Sequence, residues 1–163
     1  MADTAEFDLF VVARSHALLR TAYLLVRDES VAEDLLQIAL TKAWFAWGRL
    51  EGDPERYVRR ILVNTAASWW RRRWHRELPT EELPERGAAS VGPGDQDLWE
   101  ALGRLPARQR AAVVLRYLED RSEIETAGLM GCTVGTVKSQ CSKALAKLRV
   151  DSALQPADER SQP

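Results

Sequence analysis

The stretch SEIETAGLMGCTVGTVKSQCSKALAKLR, residues 122–149, decides the fold of the C-terminal half of the chain. Ala127, Gly131 and Val137 stand in it at positions x, x+4 and x+10. A small residue lets two helices cross closely, and a glycine at the turn takes positive φ without a Cβ penalty. An apolar residue on the second helix then packs back into the corner. The spacing therefore predicts a helix-turn-helix.

Capping residues place the ends of these two helices. Ser122 and Glu125 form an S-x-x-E capping box for the first helix, and Thr133 caps the second. In such a motif the second helix presents its N-terminal, outward residues to the major groove of DNA. The alternative is an ordinary helical hairpin with a solvated basic face. The predicted contacts to duplex DNA are Thr133, Gly135, Thr136, Lys138, Ser139, Gln140 and Lys143.

Helical periodicity continues through the rest of the chain, and strand patterns are nearly absent. The sequence therefore predicts an all-α protein. Ser30 with Glu33 is the predicted capping box of the second helix, and Asp53-Pro54 starts the third. Besides the helix-turn-helix, helices are predicted over residues 5–26, 30–47, 54–76, 95–104 and 106–118.

Prolines, glycines and acidic residues interrupt the helical pattern over residues 77–94 and predict a flexible acidic linker. This linker separates two small helical domains, predicted over residues 1–76 and 95–150, and a disordered tail over residues 151–163 follows. The chain has 163 residues and a formal net charge of −1. Any surface for nucleic acid must therefore come from a local concentration of basic residues.

Residues 56–76 form such a concentration, with seven arginines, three tryptophans and no acid. On a helical wheel Val58, Ile61, Leu62, Thr65, Ala66 and Trp69 form the predicted core stripe. Arginines hold phosphates and aromatic faces stack on unpaired bases, so the opposite face suits single-stranded DNA. In the alternative interpretation the tryptophans pack on the linker or the other domain. The predicted single-strand contacts are Arg56, Arg60, Asn64, Trp70, Arg71 and Trp74.

The segment AEDLLQIALTKAWFAW, residues 32–47, is apolar on more than one face. One stripe, with Leu36, Ala39, Leu40, Ala43 and Trp47, suits the core. A second stripe contains Leu35, Ile38 and Phe45, beside Asp34, Gln37 and Thr41. The second stripe predicts a protein partner, and packing against the first helix is the alternative.

Several functional classes lack their residues in this sequence. There is no Gly-rich phosphate loop, no metal-ligand spacing and no nucleophile–base pattern, so we expect neither an enzyme nor a cofactor. Cys132 and Cys141 show no CxxC spacing and are expected to be reduced. The acidic N-terminus lacks a signal-peptide pattern, and no apolar run approaches the roughly 20 residues of a membrane helix. We therefore expect a cytoplasmic protein without membrane insertion.

Three motifs together resemble a sigma factor of the sigma-70 family, in the extracytoplasmic function (ECF) group. They are AEDLLQIALTKAW, RYVRRILVNTAASWWRRR and LPARQRAAVVLRYLEDRSEIETAGLMGCTVGTVKSQCSKALAKLR, and the resemblance spans about residues 5–150. It implies that residues 1–76 are region 2 and that residues 95–150 are region 4. It also implies a subunit that binds core RNA polymerase, recognises the −35 and −10 promoter elements and assists promoter melting.

The resemblance assigns roles to the surfaces described above. It implies that Asp34, Leu35, Gln37 and Ile38 bind the β′ clamp helices and that residues 105–119 help region 4 dock on the β flap. It places the −10 element on the loop 48–53 and the 56–74 helix, and the −35 element on the 133–147 helix. By the same analogy the free chain binds an anti-sigma factor. A stand-alone helix-turn-helix regulator is the alternative; it accounts for residues 95–150 only.

Overall fold

Every regular element of the described chain is helical, which confirms the all-α prediction. The computed structural model describes residues 4–75, 95–151 and 154, but not the side chains of residues 74, 75 and 95. The predicted linker and most of the predicted tail lie outside the described residues. The helices are α1 (Thr4–Val26), α2 (Glu29–Ala46), α3 (Pro54–His75), α4 (Asp95–Arg104), α5 (Ala107–Val113), α6 (Glu123–Met130) and α7 (Val134–Val150). A 3₁₀ turn (Trp47–Arg49) and a π-helical segment (Val114–Leu118) complete them.

The chain separates into two compact units, and helices α1, α2 and α3 form the first. Several alanines are fully buried between the three helices and allow them to approach closely, because they place no long side chain between the backbones. Leucines and valines fill the remaining core, and burying each such side chain contributes about 1.5–3 kcal/mol. Fully buried residues of this unit include Leu18, Ala22, Ala32, Ala39, Ala43, Val58 and Leu62.

Helix α1 corrects one expectation. It spans 23 residues, and its mean hydropathy over an 18-residue window is 1.4, so by length and composition it is apolar enough to cross a membrane. In the structure, however, Leu18, Thr21 and Ala22 of α1 are buried within the first unit. A core helix of a globular unit meets the same criteria, because it too must be apolar along its inward face.

The ends of α2 and α3 test the capping predictions. The cap of α2 is Asp28, whose carboxylate accepts a hydrogen bond from the backbone N–H of Val31 at 3.0 Å, so the predicted Ser30 box is wrong. Arg27, with φ of 59°, turns the chain just before it. The prediction for α3 is confirmed, since the Asp53 carboxylate accepts a hydrogen bond from the N–H of Glu55 at 3.0 Å.

The second unit contains a core between α4, α5 and α7. Arg110 of α5 lies inside it, only 1% exposed. Its guanidinium donates to the carbonyl oxygens of Leu102 at 2.7 Å, Gly103 at 3.0 Å and Leu105 at 3.0 Å. The last carbonyls of a helix have no partner within it, so Arg110 closes the C-terminus of α4. The apolar core around it contains Leu98, Leu102, Leu105, Val113, Leu118, Ala144 and Leu148.

The predicted helix over 106–118 changes its hydrogen-bonding pattern before it ends. From Val114 to Leu118 the backbone is π-helical, and the N–H of Glu119 donates to the carbonyl of Val114 at 2.8 Å. Asp120, with φ of 55°, then reverses the chain toward α6. The wider turn shifts the direction of the side chains by comparison with a regular α-helix.

Candidate nucleic-acid and polymerase interfaces

The helix-turn-helix geometry is present at the predicted positions. Ala127 is buried, Gly131 adopts φ of 65° and Val137 is fully buried. The N–H of Cys132 donates to the carbonyl of Ala127 at 3.1 Å, which closes the end of α6. The predicted capping box at Ser122 and Glu125 forms both of its hydrogen bonds, at 2.9 and 3.1 Å. The motif is therefore confirmed in its turn, its caps and its buried corner.

Helix α7 divides into an inner and an outer face. Val137, Cys141 and Ala144 are buried on the inner face, and burial raises the pKa of the Cys141 thiol. Thr133 caps the helix, since its hydroxyl accepts from the N–H of Thr136 at 3.2 Å. Of the predicted duplex contacts, Thr133, Gly135, Lys138, Ser139 and Lys143 are exposed, while Thr136 and Gln140, which flank the buried face, are half-buried. All seven predicted duplex contacts thus retain some exposure, on one helix.

Lys138 is the cation nearest to an acid on this face. Its Nζ lies 3.7 Å from a carboxylate oxygen of Glu123, and the lysine side chain is 64% exposed. An exposed ion pair at this distance contributes little energy. Lys138 therefore remains available to an anionic ligand.

The outward face of α3 carries the predicted arginines. Arg56, Arg60 and Asn64 are exposed one turn apart, and Arg71 is exposed two turns further on along the same side of the helix. They form a cationic stripe along the helix. The side chain of Trp74 lies outside the described residues.

The tryptophans of α3 differ from the prediction. Trp69 is half-buried rather than part of the core, and its ring packs edge-on against Trp70 with centroids 4.9 Å apart. Trp70 is also half-buried, because its indole N–H donates to the carbonyl of Leu25 in α1 at 3.1 Å. The Arg73 guanidinium carbon lies 5.3 and 5.8 Å from the two ring centroids. Trp70 is therefore tied to α1 rather than projecting freely.

Sequence reasoning missed two core residues of α3, Val63 and Arg59. Arg59 is 3% exposed and donates to both the Glu55 carboxylate, at 2.9 and 3.1 Å, and the Thr21 hydroxyl, at 2.6 Å. The i, i+4 spacing of Glu55 and Arg59 was the available sequence signal for this pair. Arg59 consequently does not belong to the cationic stripe.

The second apolar stripe of α2 is smaller than predicted. Leu35 is 4% exposed and packs in the core of the first unit, so its placement on an exposed stripe is wrong. Asp34 and Gln37 are exposed, Ile38 is 43% exposed and Phe45 is 74% exposed. An acid, an amide and two large apolar side chains therefore share an exposed face of α2. Such a mixed face is typical of a protein-binding surface.

Within the described ranges, no three His, Cys, Asp or Glu side chains come together as a group that could hold a metal ion.

Two family models match the chain, one over helices α1 to α3 and the other over helices α4 to α7. Sigma-70 region 2 matches residues 10–76, and sigma-70 region 4 matches residues 95–148. The RNA polymerase sigma-E factor of Streptomyces coelicolor is 40% identical over 166 residues, covering 99% of this chain and 94% of the relative. The ECF RNA polymerase sigma factor SigM of Mycobacterium tuberculosis is 33% identical, covering 90% of this chain and 76% of the relative.

A solved structure agrees with these relatives. The sigma factor RpoE, from a complex with the anti-sigma factor NepR of Bartonella quintana, superimposes with a TM-score of 0.74 at 29% identity. The superposition covers 90% of this chain and 98% of that one.

The fold combines a three-helix unit with a helix-turn-helix, a motif typical of DNA-binding proteins. With both region models matched, the chain belongs to the sigma-70 family, as an RNA polymerase sigma factor of the ECF type. Its partners are core RNA polymerase and promoter DNA, and it directs transcription initiation. A stand-alone helix-turn-helix regulator is not favoured, because the region 2 match accounts for the first unit as well.

Proposed function

We propose that the exposed faces of α2, α3 and α7 carry the three binding functions of a sigma factor: α2 binds core polymerase, α3 binds the −10 element and α7 binds the −35 element. The observation that supports this division most directly is the outer face of α7, which carries the exposed Gly135, Lys138, Ser139 and Lys143, while Val137, Cys141 and Ala144 are buried on the other side. The proposed boundaries are those of the sequence: region 2 over 1–76, linker over 77–94, region 4 over 95–150 and tail over 151–163. The protein acts in the cytoplasm and has no catalytic activity of its own.

The outer face of α7 reads the −35 element as duplex DNA. Thr133, Gly135 and Thr136 lie at the N-terminus of the helix, where backbone N–H groups favour phosphate. Lys138, Ser139 and Gln140 lie where a recognition helix reaches base edges. Lys143 follows at i+5 from Lys138 and contacts the phosphate backbone.

The cationic stripe of α3 binds the −10 element as its strands separate. Arg56, Arg60 and Arg71 hold phosphates, and Asn64 between them offers an amide to a base edge. Trp70 and Trp74 supply aromatic faces for unpaired bases. The hydrogen bond from Trp70 to Leu25 fixes the plane of its ring, so stacking there costs little loss of side-chain freedom. The loop 48–53 receives a base extruded from the duplex.

The exposed face of α2 binds the β′ clamp helices of core polymerase. Asp34 and Gln37 form its polar part and Ile38 its apolar part, with Phe45 as an additional anchor. Large apolar side chains in the centre of an interface contribute most of its binding energy. The family resemblance also includes Leu35 in this surface, but Leu35 packs in the core beneath it.

Residues 105–119 help form the surface of region 4 that docks on the β flap. The Bartonella relative was solved with an anti-sigma factor. We propose that a partner of this kind also holds the present chain inactive.

Transcription from a genomic promoter library tests this function. The library is transcribed by bacterial core polymerase with and without the protein. Initiation that depends on the protein, at sites sharing two spaced motifs, is the expected result. Tight binding of the free chain to one duplex motif, without initiation, would instead favour the stand-alone regulator.

A further inference from the structure

The loop between α2 and α3 is exposed along almost its whole length. Gly48, Arg49, Glu51, Gly52 and Asp53 are exposed, and Gly52 adopts φ of 97°. Such a segment has few internal contacts that define its position. Its location on the first unit therefore depends on how its two ends are fixed.

The upstream end is fixed by an aromatic cluster with α1. Trp47, at the start of the 3₁₀ turn, is 9% exposed. Its ring centroid lies 5.1 Å from that of Phe7, nearly perpendicular to it, and 5.3 Å from that of Phe10. Aromatic rings in edge-to-face contact, as in the Phe7–Trp47 pair, attract each other beyond the effect of their burial. The cluster attaches the upstream end of the loop to the first turns of α1.

The downstream end is fixed by a largely buried polar network, again with α1, in which Arg59 is buried and Glu55 is half-buried. Glu55, in the first turn of α3, accepts from Arg59, and Arg59 donates to Thr21 of α1 at 2.6 Å. The Thr21 hydroxyl in turn donates to the carbonyl of Ala17 at 3.1 Å. Arg14 of α1 adds an outer ion pair to Glu55 at 3.4 Å. The first turn of α3 is therefore held at one position along α1.

The energetics of this network favour a positioning role. Replacing a buried ion pair by apolar residues of similar size is often neutral or stabilising, so stability alone gives little reason for an arginine here. Charge-assisted hydrogen bonds from one guanidinium to a carboxylate and a hydroxyl, however, add geometric specificity that apolar contacts lack. The network fixes the start of α3 more narrowly than apolar contacts would.

We propose that Thr21 and Arg59, together with Phe7, are positioning residues that hold the loop 48–53 for base selection at the −10 element. Helix α1 acts as a brace that fixes both ends of the loop without touching DNA. This inference rests on the proposed role of the loop in −10 recognition.

The test compares promoter variants transcribed by the reconstituted holoenzyme. Thr21→Val, Arg59→Met and Phe7→Leu are each measured on a promoter with an intact −10 element and on single-base −10 variants. Thr65→Val is the matched control, because the Thr65 hydroxyl donates only a comparable bond, to the carbonyl of Ile61 at 2.6 Å, away from the loop. Thr21→Ser, which restores the hydroxyl, serves as the rescue variant. Melting temperatures are measured for all, and assays are run well below them.

We expect the preference for the intact −10 element to fall about tenfold in all three positioning variants, because the loop then no longer holds its base contact in place; this change corresponds to about 1.4 kcal/mol. Preference at the −35 element and binding to core polymerase should stay at the wild-type level, as should all properties of Thr65→Val and Thr21→Ser. Folded variants that keep the wild-type −10 preference would overturn the proposal, and so would an equal loss at both elements. If the wild-type protein itself shows no −10 preference, the proposed function fails before this inference is reached.

Discussion

Arg110→Met removes the guanidinium that closes the C-terminus of α4 while keeping most of the buried aliphatic stem. The carbonyl oxygens of Leu102, Gly103 and Leu105 each lose a hydrogen-bond donor that lies 2.7–3.0 Å away. Arg110 itself is only 1% exposed, so water cannot easily replace it. Hydrogen bonds from a charged donor contribute about 1.5–3 kcal/mol each, but the three share one side chain and are not additive. We expect a loss of about 3 kcal/mol in the free energy of unfolding of the second unit.

Hydrogen exchange followed by mass spectrometry measures this loss separately for the second unit. A change of about 3 kcal/mol corresponds to a roughly hundredfold faster exchange of the most protected amides in α4, α5 and α7. Peptides from α1 to α3 should keep their protection. Arg108→Met is the matched control on the same helix, since Arg108 is exposed and its loss should change stability by less than about 0.5 kcal/mol. Equal protection in the two variants would refute the proposed closing role of Arg110.

The three surfaces make further predictions. A Cβ at Gly135 would meet only the Thr133 hydroxyl, at 3.9 Å, so Gly135→Ala should stabilise α7 by about 0.5–1 kcal/mol. If DNA approaches Gly135 closely, the same variant should weaken transcription that depends on the −35 element. Unchanged −35 dependence in a promoter assay would show that DNA does not approach there. Asp34→Arg should lower affinity for core polymerase at least tenfold in a binding titration, because it reverses a charge in the interface, and retained affinity would reject that surface. Trp70→Phe should lower the free energy of unfolding by about 1 kcal/mol, because it removes the hydrogen bond to Leu25; thermal unfolding measures this loss. The same variant should slow strand opening, followed by permanganate footprinting, more than it slows closed-complex formation. Equal reductions in the two rates would contradict a role in melting.

The elements with strong local chemistry could be predicted from the sequence. The capping residues Asp53, Ser122 and Thr133 hold their predicted places, because each accepts a hydrogen bond from an N–H only two or three residues away. Gly131 likewise occupies the turn that its lack of a Cβ favours. The miss at α2 has the same origin: Asp28 and Ser30 are both good caps, and the turn at Arg27 decided between them.

Burial along the helices was harder to predict than their ends. A helical wheel gives the separation between residues but not the direction from which the other helices approach. Leu35 was therefore assigned to the wrong side, and Trp69 is less buried than predicted, although both stand on correctly predicted helices. The π-helical segment after Val113 was missed because a wider turn leaves no residue pattern of its own in a short apolar run.

Arg59 and Arg60 show what this distinction means for function. They are adjacent in the most basic segment of the chain, yet Arg60 is exposed on the cationic stripe and Arg59 is 3% exposed against Thr21 and Glu55. A phosphate contact releases counterions, so Arg60→Gln should reduce the log–log salt dependence of open-complex formation by about 0.7–0.9. Arg59→Gln should leave that slope unchanged and instead lower the melting temperature, because it disturbs a buried network.

The adjacent pair also separates charge from position. If the basic segment acted simply through its total charge, both substitutions would lower the slope equally, since both remove one positive charge within a few ångströms along the same helix. The two contributions are separate if only the Arg60 substitution changes the salt-dependence slope and only the Arg59 substitution changes base preference at the −10 element. In that case one arginine would bind the DNA, and the other would hold in place the surface that reads it.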